Sequence, residues 1–316
     1  YTVNDFTFSG SAEVKGTNAG TYGMNLSPSD FTNTNTSNFP NVTFVVEDGQ
    51  LVIQKRSVTL TSGSDSKAYD GTALKKETVE VTGDGFAKNE GADYSDFASL
   101  TEVGETDNTF TYTLQSNTSA NNYEISVEKG KLTIAATADE VVVTIKENSG
   151  TETYDGTEKT VTGYAVQSIS SKLYTEKDFT FSGKAEVKGT NAGIYDMELT
   201  PADFRNTNQN FTKVTFVIVD GKLTIEKRKV TLTSASASKD YDGTPLTAKN
   251  VTVSGDGFAN GEGATYNVYG SQTESGSSKN HFRYSLTQGT SADNYEFRED
   301  LGDLTVRAIE TPVVVT

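Results

Sequence analysis

Tyr69-Asp70-Gly71-Thr72 returns as Tyr154-Asp155-Gly156-Thr157 and again as Tyr241-Asp242-Gly243-Thr244. A carboxylate flanked by two hydroxyl side chains could hold a ligand. Its plainer chemistry is a tight turn, in which Gly takes a positive φ and Asp accepts from the next backbone amides. On that reading the three tyrosines are half-buried anchors beside the turn. Other reactive groups are sparse. His281 is the single histidine, and a Ser/His/Asp triad or a histidine-based metal site would depend on it with little else in support. Glu299, Asp300 and Asp303 form an acidic cluster at an expected turn, a weak surface calcium site at most. No Asp-x-Asp-x-Asp-Gly loop closed by Glu and no glycine-rich phosphate loop occurs. The absence of cysteine excludes thiol catalysis and disulfides. Lys67 and Lys239, with Asn122 and Asn294, are the repeated residues from which a lysine–asparagine isopeptide could form. Nothing points to paired glycosidase carboxylates. The sequence therefore assigns no catalytic, cofactor-binding or metal-ligating residue, and the expectation is a protein that is not an enzyme.

The elements that would position these residues are strands. Apolar residues alternate with period two at Phe6/Phe8, Val79/Val81, Phe110/Tyr112/Leu114 and Phe179/Phe181. Thr, Val, Tyr and Phe fill the runs, and Gly, Asn, Asp and Ser separate them. No helical stripe persists for three turns. Pro28-Ser29-Asp30-Phe31 and Pro201-Ala202-Asp203-Phe204 each suggest one helical turn, with proline in a tolerated early position.

Nearly everything repeats. Residues 5–10 reappear at 178–183, and residues 12–20 at 185–193. Val58–Ser62 matches Val230–Ser234, and Gly83–Ala87 matches Gly255–Ala259. Two unit types alternate. Residues 1–55 are the C-terminal part of a long-type repeat, 57–136 a short-type repeat, 138–227 a complete long-type repeat, 229–308 a second short-type repeat, and 309–316 the first strand of a further long-type repeat. The Asp48-Gly49, Lys129-Gly130, Asp220-Gly221 and Leu301-Gly302 pairs predict a closing β-hairpin in every unit. The apolar phase shifts between Ile53 and Val58, which places a domain boundary at Arg56/Ser57 with no linker and a stiff joint. More bending is expected at Ala135–Glu140. Residues 1–55 lack counterparts of the opening strands of the long unit. The expectation is a cut from a longer array, in which residues 312–316 of one molecule add as a strand to residues 1–55 of another.

The fold expected is all-β, with tandem Ig-like β-sandwich domains in an elongated array and a β-grasp-like domain as the alternative. A net charge of −16 argues against nucleic acid and anionic membrane surfaces. No apolar run approaches the ~20 residues of a membrane-spanning helix, so no membrane insertion is expected.

Tyr-Asp-Gly-Thr, then Val-Thr-Gly, then Asn-Ala-Gly-x-Tyr (Asn18–Tyr22, Asn191–Tyr195), then Asn-Tyr (Asn122-Tyr123, Asn294-Tyr295), then Gly-x-Leu-x-Ile, resembles the YDG/MBG-type repeats of large bacterial surface proteins. The resemblance runs over practically the whole chain. It implies an extracellular, cell-wall-attached or secreted, adhesin-like protein of many tandem β-domains, and no conserved catalytic set. The function expected is that of a stalk or spacer projecting a binding domain, with neighbouring repeats as partners. The alternative is that the repeats themselves bind host glycan or extracellular-matrix protein, through the loop Ser27–Asn41 and its copy Thr200–Lys213.

Overall fold

The computed structural model describes residues 1–310. The fold is all β, of β-sandwich-type repeats, and among the described residues short 3₁₀ turns are the only helical elements. Two compact units emerge: Tyr1–Ala138 with Gln209–Thr212, and Asp139–Asn208 with the chain from Lys213 onward.

The strands form where the alternation places them. Val141–Glu147 buries Val141, Val143 and Ile145 and turns Val142, Thr144 and Lys146 the other way. Each such side chain contributes roughly 1.5–3 kcal/mol on burial. This strand lies between Tyr164–Ile169, antiparallel, and Val214–Val219, parallel. Lys222–Glu226 lies between Gly150–Thr153, parallel, and Gly193–Asp196, antiparallel. A group of rings closes the core, with Phe204 stacked on Phe216 at 5.5 Å and edge-on to Tyr164 at 5.2 Å.

Residues 57–136 and 229–308 share one strand order. Arg228–Ser234 sits between Val251–Gly255, antiparallel, and Tyr295–Asp300, parallel. Asp303–Arg307 sits between Ala237–Asp240, parallel, and Gly276–Lys279, antiparallel. Ala264–Val268 and Phe282–Leu286 form a separate antiparallel ribbon. In residues 57–136, Val58, Leu60 and Tyr123 make one buried cluster, joined by Phe86, Tyr94 and Phe110. Leu74, Leu132 and Ile134 make another, joined by Tyr69, Leu100 and Val103.

The expected closing hairpins are not formed. Val214–Val219 and Lys222–Glu226 flank Asp220-Gly221 but pair in different sheets, as do Tyr123–Glu128 and Lys131–Ala135 around Lys129-Gly130. A two-residue hairpin turn calls for positive φ, and Gly130, Gly221 and Gly302 all lie outside that region. These glycines answer a different demand. A Cβ at Gly221 would stand 2.3 Å from the Asn148 carbonyl oxygen, and one at Gly130 would stand 2.4 Å from that of Ser62. The chain crosses between sheets there, packed against the matching crossing of the first strand.

The two expected helical turns are present as 3₁₀ turns, Pro28–Asp30 and Pro201–Asp203. Asp30 and Asp203 accept from the backbone N–H of Ser27 and Thr200 at 2.7 Å. In residues 1–55, Phe6–Phe8 pairs with Phe31–Asn33, and Gly20–Gly23 with Gln50–Ile53. Residues 42–47, which correspond to Val214–Val219, are not in a strand. The segment 312–316 expected to add there lies outside the described residues.

Candidate functional site

The three Tyr-Asp-Gly-Thr copies share a turn. Gly71, Gly156 and Gly243 have φ of 77°, 83° and 75°. Thr72, Thr157 and Thr244 donate their backbone N–H to the aspartate two residues before, at 2.8, 2.9 and 2.9 Å. A lysine completes each: Lys67 Nζ lies 2.6 Å from Asp70, Lys159 Nζ 2.5 Å from Asp155, and Lys239 Nζ 2.5 Å from Asp242. The ammonium, then the threonine donors, hold all three carboxyls well below the usual carboxylate range. The turn is held by its own residues, each aspartate accepting from its threonine and its lysine.

Tyr69 and Tyr154 pack against rings of neighbouring repeats, whereas Tyr241 is exposed. Tyr154 is buried at 4% exposure. Its ring lies edge-on to Tyr295 at 5.7 Å, and its hydroxyl donates to Glu262. Tyr295 donates to the other oxygen of Glu262 at 2.9 Å and accepts from the Ala259 N–H. Burial, then the neighbouring carboxylate, raises the Tyr154 hydroxyl pKa, and burial pushes that of Tyr295 up to about 12. Asn294 accepts from the Ala192 N–H at 2.8 Å, and its amide reaches Asn191 Oδ1 at 3.1 Å. Arg228 ties the connection down by donating to the carbonyls of Gly257 at 3.0 Å and Tyr154 at 3.1 Å. Asn-Ala-Gly, Asn-Tyr, Gly-Asp-Gly and Tyr-Asp-Gly-Thr thus converge on the joint between residues 138–227 and 229–308.

The same joint recurs in the first compact unit. Asn122 accepts from the Ala19 N–H at 2.8 Å and reaches Asn18 at 3.0 Å, while Arg56 holds the Gly85 carbonyl at 2.9 Å. Tyr123 donates to Glu90 at 2.7 Å. That unit also contains a second kind of joint. Tyr69 packs edge-on against Phe211 at 5.6 Å, Asn210 accepts from the Val103 N–H at 2.9 Å, and Asn210 also donates to Glu102. Asn210 and Phe211 belong to the copy of the loop expected to face a ligand, and both are buried. In the loop Ser27–Asn41, Asn33, Asn35 and Asn38 bond to the Phe39 carbonyl, Asp5 and Asn35.

The remaining candidates fall apart from one another. Lys67 is engaged by Asp70 and Thr72, and Asn122 by Asn18 and Ala19, so the structure does not bring the isopeptide pair together. Asp300 and Asp303 pair with Arg298 at 3.1 Å and Lys279 at 2.8 Å. His281 is exposed and stacks on Tyr269 at 6.1 Å. Among the described residues no three His, Asp or Glu side chains gather as a metal site, and no helix is long and apolar enough to cross a membrane. Sequence reasoning missed Glu90 and Glu262. The signal was there: Glu-Gly is retained at 90–91 and 262–263 although Lys88-Asn89 becomes Asn260-Gly261 just before it.

Comparison with known families finds the MBG domain over residues 141–227. They fall within the complete long unit, residues 138–227. No curated protein matches the chain.

Proposed function

Starting from an MBG domain at residues 141–227, we propose that this chain is part of the repeat region of a bacterial surface adhesin, where it spaces a binding domain from the cell. The observation that carries the reading is the use made of the recurring motifs. Asn122/Asn294, Tyr154, Glu262/Tyr295 and Arg56/Arg228 are spent on joints between successive repeats. A spacer needs such joints, and recurrence of the joint residues is what selection for spacing would produce. A glycan-binding repeat would instead keep its recurring polar groups open to solvent. An extracellular location follows from the same reading.

The test is binding of the whole chain, displayed multivalently, to a panel of host glycans and matrix proteins. The spacer reading expects no saturable binding that depends on Ser27–Asn41 or Thr200–Lys213. Saturable binding lost on replacing either loop would transfer the adhesive role to the repeats themselves.

A further inference from the structure

The two short repeats are near copies, and one of the places where they differ is the outer face of a ribbon. In residues 229–308 the ribbon Ala264–Val268/Phe282–Leu286 turns Val268 and Phe282 inward, both 5% exposed. Asn267 and Arg283, opposite one another in register, therefore face out, and Tyr269 and His281 follow them. Tyr269 is 52% exposed. The His281 ring lies 6.1 Å from it, and the Arg283 guanidinium carbon 5.6 Å from its centroid. Asn267, Tyr269 and Arg283 line a hollow of about 280 Å³. Lys249 enters from the side, with Nζ held by the Val268 carbonyl at 2.8 Å. Among the described residues the side chains of Asn267, His281 and Arg283 make no hydrogen bond or ion pair.

The first short repeat has a different chemistry at the same place. Its hollow is lined by Lys75, Glu77, Tyr94, Ser95, Asp96 and Phe97. Asp96, at φ 54°, accepts from Ser95 at 3.0 Å and Thr111 at 2.6 Å, so the polar groups satisfy each other. Between the copies Lys75 becomes Thr247, Glu77 becomes Lys249, Asp93 becomes Thr265, Asp96 becomes Val268, Thr109 becomes His281 and Thr111 becomes Arg283. Where Asp96 becomes Val268 the ribbon pairs one residue further, and Tyr269 lines the hollow in the place of Phe97. Three carboxylates and the Lys75 ammonium are lost, and Lys249 and Arg283 are gained, in a chain of net charge −16. Elsewhere charge exchanges in pairs, as where Asp107 and Lys131 become Lys279 and Asp303 and stay bridged; at this hollow the gained Arg283 has no such partner among the described residues.

We propose that this face of the second short repeat binds an acidic saccharide. The carboxylate or sulfate pairs with the Arg283 guanidinium, for which a planar two-donor fork is suited. Asn267 and His281 meet the sugar hydroxyls, and the exposed part of the Tyr269 ring meets the C–H face of the sugar. The proposal concerns one repeat and leaves the joints untouched, so it and the spacer reading can fail separately.

The test is a titration of the whole ¹⁵N-labelled chain with glucuronate, glucose 6-sulfate, glucose and inorganic sulfate at millimolar concentration. The acidic sugars are expected to shift the amides of residues 265–270 and 281–285 and to leave 93–98 and 109–113 unmoved. Arg283→Thr restores the residue of the first copy, so the fold is retained, and it should weaken binding by about tenfold or more. Tyr269→Ala should weaken the sugars and leave inorganic sulfate unchanged. The proposal is overturned by an absence of shifts, by equal shifts in both copies, by equal affinity for inorganic sulfate and the acidic sugars, or by indifference to Arg283→Thr.

Discussion

The Tyr154 hydroxyl donates to Glu262 across 108 residues of chain, and Tyr295 donates to the other oxygen of the same carboxylate at 2.9 Å. One half-buried acid thus joins a motif tyrosine of one repeat to an Asn-Tyr tyrosine of the next. Tyr154→Phe keeps the ring and loses a hydrogen bond to a charged acceptor, an expected cost of about 1.5–3 kcal/mol. Tyr154→Ala also empties the site of an aromatic ring and should cost more, about 3–5 kcal/mol. Urea unfolding of the chain and both variants measures the difference. Equal losses in the two would mean that the ring packing contributes nothing.

Alkali should act on the same joint. The Tyr295 pKa rises from 10.0 to about 12 in the fold, chiefly through burial. A proton held more tightly when folded gives stability that is complete below the unfolded value. It is lost as pH rises through the window from about 10 to about 12. Urea midpoints should fall steeply there, and the fall should be shallower in Tyr295→Phe. Identical slopes in the two proteins would remove Tyr295 as the cause.

Asn294 is 2% exposed and accepts from the Ala192 N–H. Asn294→Ala leaves that N–H without its partner, for about 1–3 kcal/mol. Its counterpart Asn122 is only half-buried, so Asn122→Ala should cost less, because water can more readily replace the lost bond. Hydrogen exchange at Ala192 and Ala19 reports on each joint directly. The expected order is faster exchange at Ala192 in the first variant than at Ala19 in the second, each relative to the parent chain.

Glu147 is 2% exposed, and its two oxygens accept from the N–H groups of Leu199 and Gly221, both at 2.6 Å. Ser62 and Ser234 fill the equivalent place in the short repeats, each accepting from the glycine at the sheet crossing. Glu147→Gln sets an amide donor against a backbone donor, so one buried N–H loses its acceptor. The expected loss is about 2–4 kcal/mol, read as a fall in thermal midpoint. A variant as stable as the parent would show that these two amides find other acceptors.

Local chemistry was legible. Asp155 reaches only two residues to Thr157, and Asp203 three residues back to Thr200, so residue type and spacing suffice to specify those turns. The alternation Val141/Val143/Ile145 marks a buried face for the same reason, since side-chain direction along a strand follows from chain geometry alone. The joint was not legible in this way. Glu262 and Tyr154 stand far apart in sequence, and only recurrence of Glu-Gly in a changing loop marked the acid.

The sequence by itself determined an all-β chain, its internal repetition and its local Asp-Gly-Thr and Pro-x-Asp turns. Tertiary structure decided which strand lies beside which. Asp220-Gly221 reads as a hairpin, but the alternating pattern of Val214–Val219 and Lys222–Glu226 serves a step between sheets just as well. The step is taken because Val141–Glu147 and Gly150–Thr153 offer parallel partners in separate sheets, and because Gly221 admits the Asn148 carbonyl where any Cβ would collide. Periodicity selects a face, while the neighbour is chosen by contacts that no stretch of sequence contains on its own.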